Sequence, residues 1–107
     1  MLDFENIIGF DWDEGNKTKN ELKHEVTQKE AEEIFSGYPL LISKSFFKVK
    51  EERWLAYGKT AQNRLLTIAF TVREKRIRII SARPQSKKER KDYYETAKER
   101  IEEDPNL

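Results

Sequence analysis

The sequence predicts an α+β fold, an antiparallel β-meander with helices packed on it. Three observations carry this. Four extended segments follow one another between Leu40 and Ala82 with short links at Lys59–Arg64 and Arg73–Lys75, as antiparallel hairpins require. Two S/T-x-x-E spacings, Thr27–Glu30 and Ser86–Glu89, open two amphipathic helices with capping boxes. The apolar residues, 36% of the chain, sit at periodic positions. That periodicity separates a folded chain from a charged tail.

Taken in order, Ile7 to Trp12 reads as a short strand with Ile8, Phe10 and Trp12 on one face and Asp11 and Asp13 on the other. A polar helix follows from about Asn16 to His24, with Leu22 its one large apolar side chain. The helix capped by Thr27 carries Ala31, Ile34 and Phe35 on one stripe, and Gly37 and Pro39 end it. The four extended segments are Leu40 to Phe47, Arg53 to Gly58, Leu65 to Val72 and Arg76 to Ala82. In the third, Leu66, Ile68, Phe70 and Val72 form the continuous apolar face, which is the face expected against a helix. In the fourth, Ile77 and Ile79 oppose Arg78 and Ile80. The last helix runs from Lys87 to about Glu103, with Tyr94, Ala97 and Ile101 as the expected buried stripe and Tyr93 beside it. One domain over residues 1–107 is expected, since a chain of this length buries a modest core.

Composition removes several chemistries. There is no cysteine, hence no disulfide framework or thiolate site, and a single histidine leaves few zinc sites. The four glycines are scattered, so no phosphate-cradling loop is present. Asp11, Asp13 and Glu14 lack the spacing of a calcium loop, and Asp13 reads as a helix N-cap. The acidic N-terminus has no signal-like apolar run and no stretch is long enough to span a membrane, so a cytoplasmic protein without metal or cofactor is expected.

Charge is where function enters. The net charge is only +1, but its sign is segregated: residues 1–14 hold five acids and no cation, while Arg73 to Lys91 hold nine cations against Glu74 and Glu89. Lys87 and Lys88 stand in the first turn of the last helix, where a cation opposes the dipole by about 0.3–1 kcal/mol. Together with Arg83 and the helix N–H groups they make an anion site, and phosphate is the natural anion. Lys87, Lys88, Arg78 and Arg90 are therefore candidate RNA-backbone contacts. A solvated charged surface is the competing reading.

RNA cleavage without a metal needs a proton acceptor for the 2′-hydroxyl, a donor for the leaving oxygen, and cations on the phosphate. His24 is the one side chain that ordinarily titrates near neutrality. Asn16, Asn20, Lys23 and His24 fall together on one face of the polar helix. A cation placed near a helix C-terminus for its dipole explains His24 equally well. Arg64 and Arg73, at opposite ends of one strand, are candidate phosphate contacts or solvated turn residues. Trp54 and Tyr57 are candidate base-stacking rings or core aromatics.

The run Phe10-Asp11-Trp12-Asp13-Glu14-Gly15-Asn16, with Lys19-Asn20, Leu22-Lys23-His24 and Val26-Thr27, resembles the opening of BrnT-type toxins. Glu52-Arg53-Trp54, Leu55-Ala56-Tyr57-Gly58-Lys59-Thr60, Arg64-Leu65-Leu66, Phe70-Thr71-Val72-Arg73, Ile77-Arg78-Ile79-Ile80-Ser81-Ala82-Arg83, Lys88-Glu89-Arg90 and Tyr93-Tyr94-Glu95 are similar to the rest of that family. The resemblance covers about residues 10–95. It implies a ribonuclease toxin of a type II toxin–antitoxin system with a compact fold similar to RelE. It also implies neutralisation by a BrnA antitoxin with a ribbon-helix-helix domain, through which alone the complex would meet operator DNA. Lys23, His24, Arg64, Arg73 and Arg83 fall on the family's recurrent polar positions and are the implied catalytic set. Glu25 stands where many members have glycine, and Lys17 departs from the common order. The other functional class is a catalytically inactive RNA-binding or co-repressor module acting with its antitoxin.

Overall fold

The computed structural model describes residues 4–12, 24–45 and 52–103, with side chains through residue 99. Strands β1 (Gly9–Trp12), β2 (Leu41–Lys44), β3 (Trp54–Lys59), β4 (Leu65–Arg73) and β5 (Arg76–Pro84) form one sheet in the order β1-β5-β4-β3-β2. Helix α1 (Gln28–Glu33), continued by a short 3₁₀ turn at Ile34–Ser36, lies on one face, and α2 (Lys87–Glu103) follows β5. The four segments from β2 to β5 pair antiparallel in sequence order, as the short links require. The sheet has a fifth strand, because β1 adds to β5 in parallel, Phe10 opposite Ile77 and Trp12 opposite Ile79.

The alternation in β4 sets the core. Leu66, Ile68 and Phe70 are fully buried beneath Val26, Ala31 and Ile34 of the α1 side, with Ala56, Ile77, Ile79 and Ala82 completing the layer. Thr27 caps α1 with both hydrogen bonds of the capping box. Phe35, only partly buried, meets Phe70 edge-on at a centroid distance of 5.2 Å and Phe10 at 5.6 Å. Gly58 allows this helix to settle close: a Cβ there would stand 3.1 Å from Ile34 Cβ and 3.3 Å from Ile34 O.

Two expectations about orientation change. Ile8 is 66% exposed, because the ordered strand begins at Gly9, and Ile7 packs on the core in its place. Tyr94 is 62% exposed, while Tyr93 is buried and donates its hydroxyl to the Pro39 carbonyl at 2.5 Å. That bond turns α2 so that Tyr93 and Ala97, not Tyr94, face inward. The second face of β4 is also covered, since Thr67 and Thr71 are buried and Thr71 donates to Glu52 O.

A bulge in the β4–β5 ladder matters for the site. Ala69 pairs with Ser81 but Phe70 pairs with Ile79, leaving Ile80 as an extra residue. Five positions separate Arg78 from Arg83, which in a regular strand would send them to opposite faces. The extra residue restores a common face, Arg78 opposite Thr71 and Arg83 opposite Thr67.

Candidate nucleic-acid interface

The predicted site residues lie in three places. At the sheet end where β4 begins, on the α1 side, is the turn containing His24. His24 is helical and half-buried, and Glu25 after it takes φ 54, the left-handed conformation that ends helices and favours glycine. Arg64 closes this turn. Its Nη1 donates to Glu25 O at 2.6 Å and its Nη2 to His24 O at 3.3 Å. The same Nη1 reaches Glu30 Oε2 at 3.0 Å. Burial works against charge on Glu30, but the Thr27 backbone N–H and the Arg64 fork outweigh it and hold the carboxyl below its ordinary range. Arg64 is thus neither a solvated turn residue nor an open phosphate contact. It satisfies the orphan carbonyls of the His24 turn. Lys23, Asn16 and Asn20, with most of the polar helix, lie outside the described residues.

The second group stands at the same end of the sheet on the α2 side. Arg83 forms a bidentate pair with Glu89, Nη1 to Oε1 at 2.6 Å and Nη2 to Oε2 at 3.0 Å. Glu89 also accepts from Ser86 N at 2.8 Å, while its own N–H donates to Ser86 Oγ, so the predicted capping box is formed. The Arg83 fork first, then the Ser86 N–H, bring the Glu89 carboxyl down to about 2 against the opposing effect of burial. This corrects the expectation of an open anion site: part of it is filled by the chain's own carboxylate. Lys87 and Lys88 remain exposed beside it. Arg90 Nη1 donates to Gln85 O at 2.8 Å, and buried Gln85 donates Nε2 to Leu66 O, so the junction from β5 into α2 is fixed on the sheet.

The third group is at the far end. Arg73 and Arg76 are register partners across the hairpin, whose residues Glu74 and Lys75 both have positive φ. With Arg78, Asp11 and Glu74 they line an open cleft of about 420 Å³. Arg73 lies six residues along β4 from Thr67, the partner of Arg83. At about 3.3 Å per residue that is roughly 20 Å. Arg73 therefore cannot touch the phosphate that Arg83 would hold, and the expected single constellation of Arg64, Arg73 and Arg83 is divided. The Arg64–Glu30 clamp, across 34 positions of sequence, carried no local signal.

Of the two aromatic candidates, Trp54 packs on the core, whereas Tyr57 is half-buried on the α2 face in the row Leu41, Tyr57, Thr67, Arg83. Among the described residues, no group of three or more His, Asp or Glu side chains is placed to hold a metal ion, and no helix is long and apolar enough to cross a membrane.

The family model for the ribonuclease toxin BrnT of type II toxin–antitoxin systems matches residues 12–89. The chain belongs to the BrnT family. Among solved structures, the ribonuclease toxin BrnT of Brucella abortus is similar, with a TM-score of 0.54 and 23% identity over 75% of this chain and 99% of that one. No curated protein matches the chain significantly. The match ends at Glu89, so it spans β3 to β5 and both residues of the Arg83–Glu89 pair.

Proposed function

We propose that this BrnT-family chain is a metal-independent RNA endonuclease, one domain of RelE-like fold acting in the cytoplasm. Its site lies at the end of the sheet where β4 starts and β5 stops. The observation that carries this reading is the family match over a chain whose His24 turn and Arg83–Lys88 cations share that sheet end. His24 takes the 2′-hydroxyl proton; the 2′-oxygen then bonds to phosphorus as the bond to the 5′-oxygen breaks, and that oxygen leaves as a hydroxyl with a proton taken from water. The products are a 2′,3′-cyclic phosphate and a 5′-hydroxyl. Arg83, with Lys87 and Lys88, offsets charge on the crowded phosphate. Lys23 and Arg90 contact the backbone, and Arg73 and Arg78 hold the strand further along. Arg64 acts as a positioning residue for His24.

The partner in this reading is a BrnA-like ribbon-helix-helix antitoxin that covers the basic rim with acidic side chains or a helix, and operator DNA is met only through it. A second reading has one specific observation in its favour: the forks of Arg64 and Arg83 are already bonded within the chain, as in a module that binds RNA or represses without cutting. Incubation of purified protein with single-stranded RNA in EDTA separates them. Cyclic-phosphate ends are expected. Bound but intact RNA would overturn the endonuclease in favour of the binding module.

A further inference from the structure

We propose that the groove between the outer edge of the sheet and α2 is a base subsite that takes one unstacked guanine of the RNA strand held at Arg83. This rests on the ribonuclease reading and names the sequence element such an enzyme would read. The groove encloses about 320 Å³, and Leu41, Ile42 and the rings of Tyr57 and Tyr93 give it apolar walls. That is the lower end of the volume of small-molecule sites, which are mostly apolar with a few convergent polar groups.

Its place in the sheet ties it to the phosphate site. Tyr57 is opposite Thr67, and Thr67 opposite Arg83. Tyr57 therefore stands two strands from Arg83 in one row, about 10 Å away, a span that matches a base and its own phosphate. Single-stranded RNA is read by bases splayed onto aromatic rings and bonded along their edges. Tyr93 has its hydroxyl committed to Pro39, and burial raises its pKa, so its ring is a fixed, neutral floor. Tyr57 is the half-exposed ring available for stacking.

The polar lining selects the base. Both oxygens of Glu89 are committed to Arg83, and one also to Ser86. Asp92, three residues on and exposed on the same side of α2, is the groove's other carboxylate. With Glu89 paired to Arg83, the Asp92 carboxylate disfavours a phosphate in this groove, so the strand enters base first. A carboxylate accepts two parallel N–H bonds best, and guanine presents its N1–H and 2-amino group side by side. Adenine and cytosine offer one amino group next to an acceptor, and uracil one imino group between two carbonyls.

The test is fluorescence anisotropy with uridine-rich 2′-O-methyl RNA, which binds without being cut, carrying one guanosine, inosine or adenosine. The guanosine strand should bind the parent protein about tenfold or more tighter than the inosine strand, which lacks the 2-amino group. Asp92→Asn should erase that difference, while the all-uridine strand, relieved of one repelling charge, should bind at least as tightly as to the parent. Tyr57→Leu should weaken every strand alike, as loss of stacking does. A parent that binds all strands equally, or an Asp92→Asn protein that keeps the guanosine preference, overturns the subsite while the ribonuclease reading stands. An Asp92→Asn protein altered only in its affinity for the antitoxin overturns it by giving the groove to the protein partner. A parent that binds no RNA overturns both.

Discussion

Arg64 Nη1 lies 2.6 Å from the carbonyl oxygen of Glu25 and 3.0 Å from Oε2 of Glu30. One guanidinium, 34 or more positions further along the chain, thereby ties down both the end of the His24 turn and the capping box of α1 that follows it. The consequence is that the His24 turn is anchored at the start of β4, a strand buried along most of its length. The clamp also explains why an arginine serves better than a lysine here, since its planar fork reaches two carbonyls and a carboxylate at once.

Arg64→Ala should destabilise the protein by about 2–3 kcal/mol, the effect of losing charge-assisted hydrogen bonds and leaving carbonyls unpaired. Arg64→Lys should recover only part of that. Urea unfolding midpoints of the three proteins check it; equal midpoints for parent and alanine variant would show that the clamp contributes nothing.

Glu25 occupies φ 54, where a side chain is strained and glycine is not. Glu25→Gly should therefore stabilise the fold by about 1 kcal/mol, glycine's greater freedom in the unfolded chain offsetting part of the relief. The expected observation is a higher melting temperature with unchanged circular dichroism.

Acid should act through Glu89. Its folded pKa is about 2, below the 4.5 of a free side chain, so its stabilisation is complete above pH 4.5 and is lost as pH falls toward 2. The Arg83 side chain is 41% exposed, so solvent screens the pair and the loss is about 1–2 kcal/mol. Glu89→Gln should lower stability at neutral pH and flatten its dependence on pH between 4.5 and 2. Chemical denaturation at stepped pH reads this directly; a variant with the parent's acid slope would place the titration elsewhere.

Phe35 is wedged among Phe4, Phe10 and Phe70. Phe35→Ala should cost about 3 kcal/mol, the lower end for a phenylalanine because this ring is only partly buried. An unchanged melting temperature would contradict the packing of the 3₁₀ turn on the sheet.

Much of this was legible from local pattern. The Leu66–Ile68–Phe70 alternation and both capping boxes depend on residues within a few positions of one another, and each formed where expected. What stayed hidden depends on contacts distant in sequence. Nothing near Gly9–Trp12 specifies that β1 should dock in parallel on β5, and nothing near Arg64 points to Glu30. The bulge at Ile80 is likewise invisible, yet it decides that Arg78 and Arg83 share a face. The pairing within the site is hidden for a related reason. A count of charges treats Arg83 and Glu89 as separate surface groups, whereas the junction at Gln85–Ser86 between β5 and α2 brings them into one bidentate pair. Tyr93 and Tyr94 are adjacent and equally apolar; the Pro39 carbonyl chooses between them.

The proposed mechanism turns on His24 moving a proton during RNA cleavage. The direct measurement is the single-turnover rate of His24→Ala on saturating RNA, with binding followed in parallel. General acid–base catalysis predicts a loss of about 10²–10⁴-fold in rate with RNA affinity and fold unchanged. A folded His24→Ala protein that binds RNA and cleaves it at the parent rate would show that His24 carries no proton in the reaction and serves only to end a helical turn.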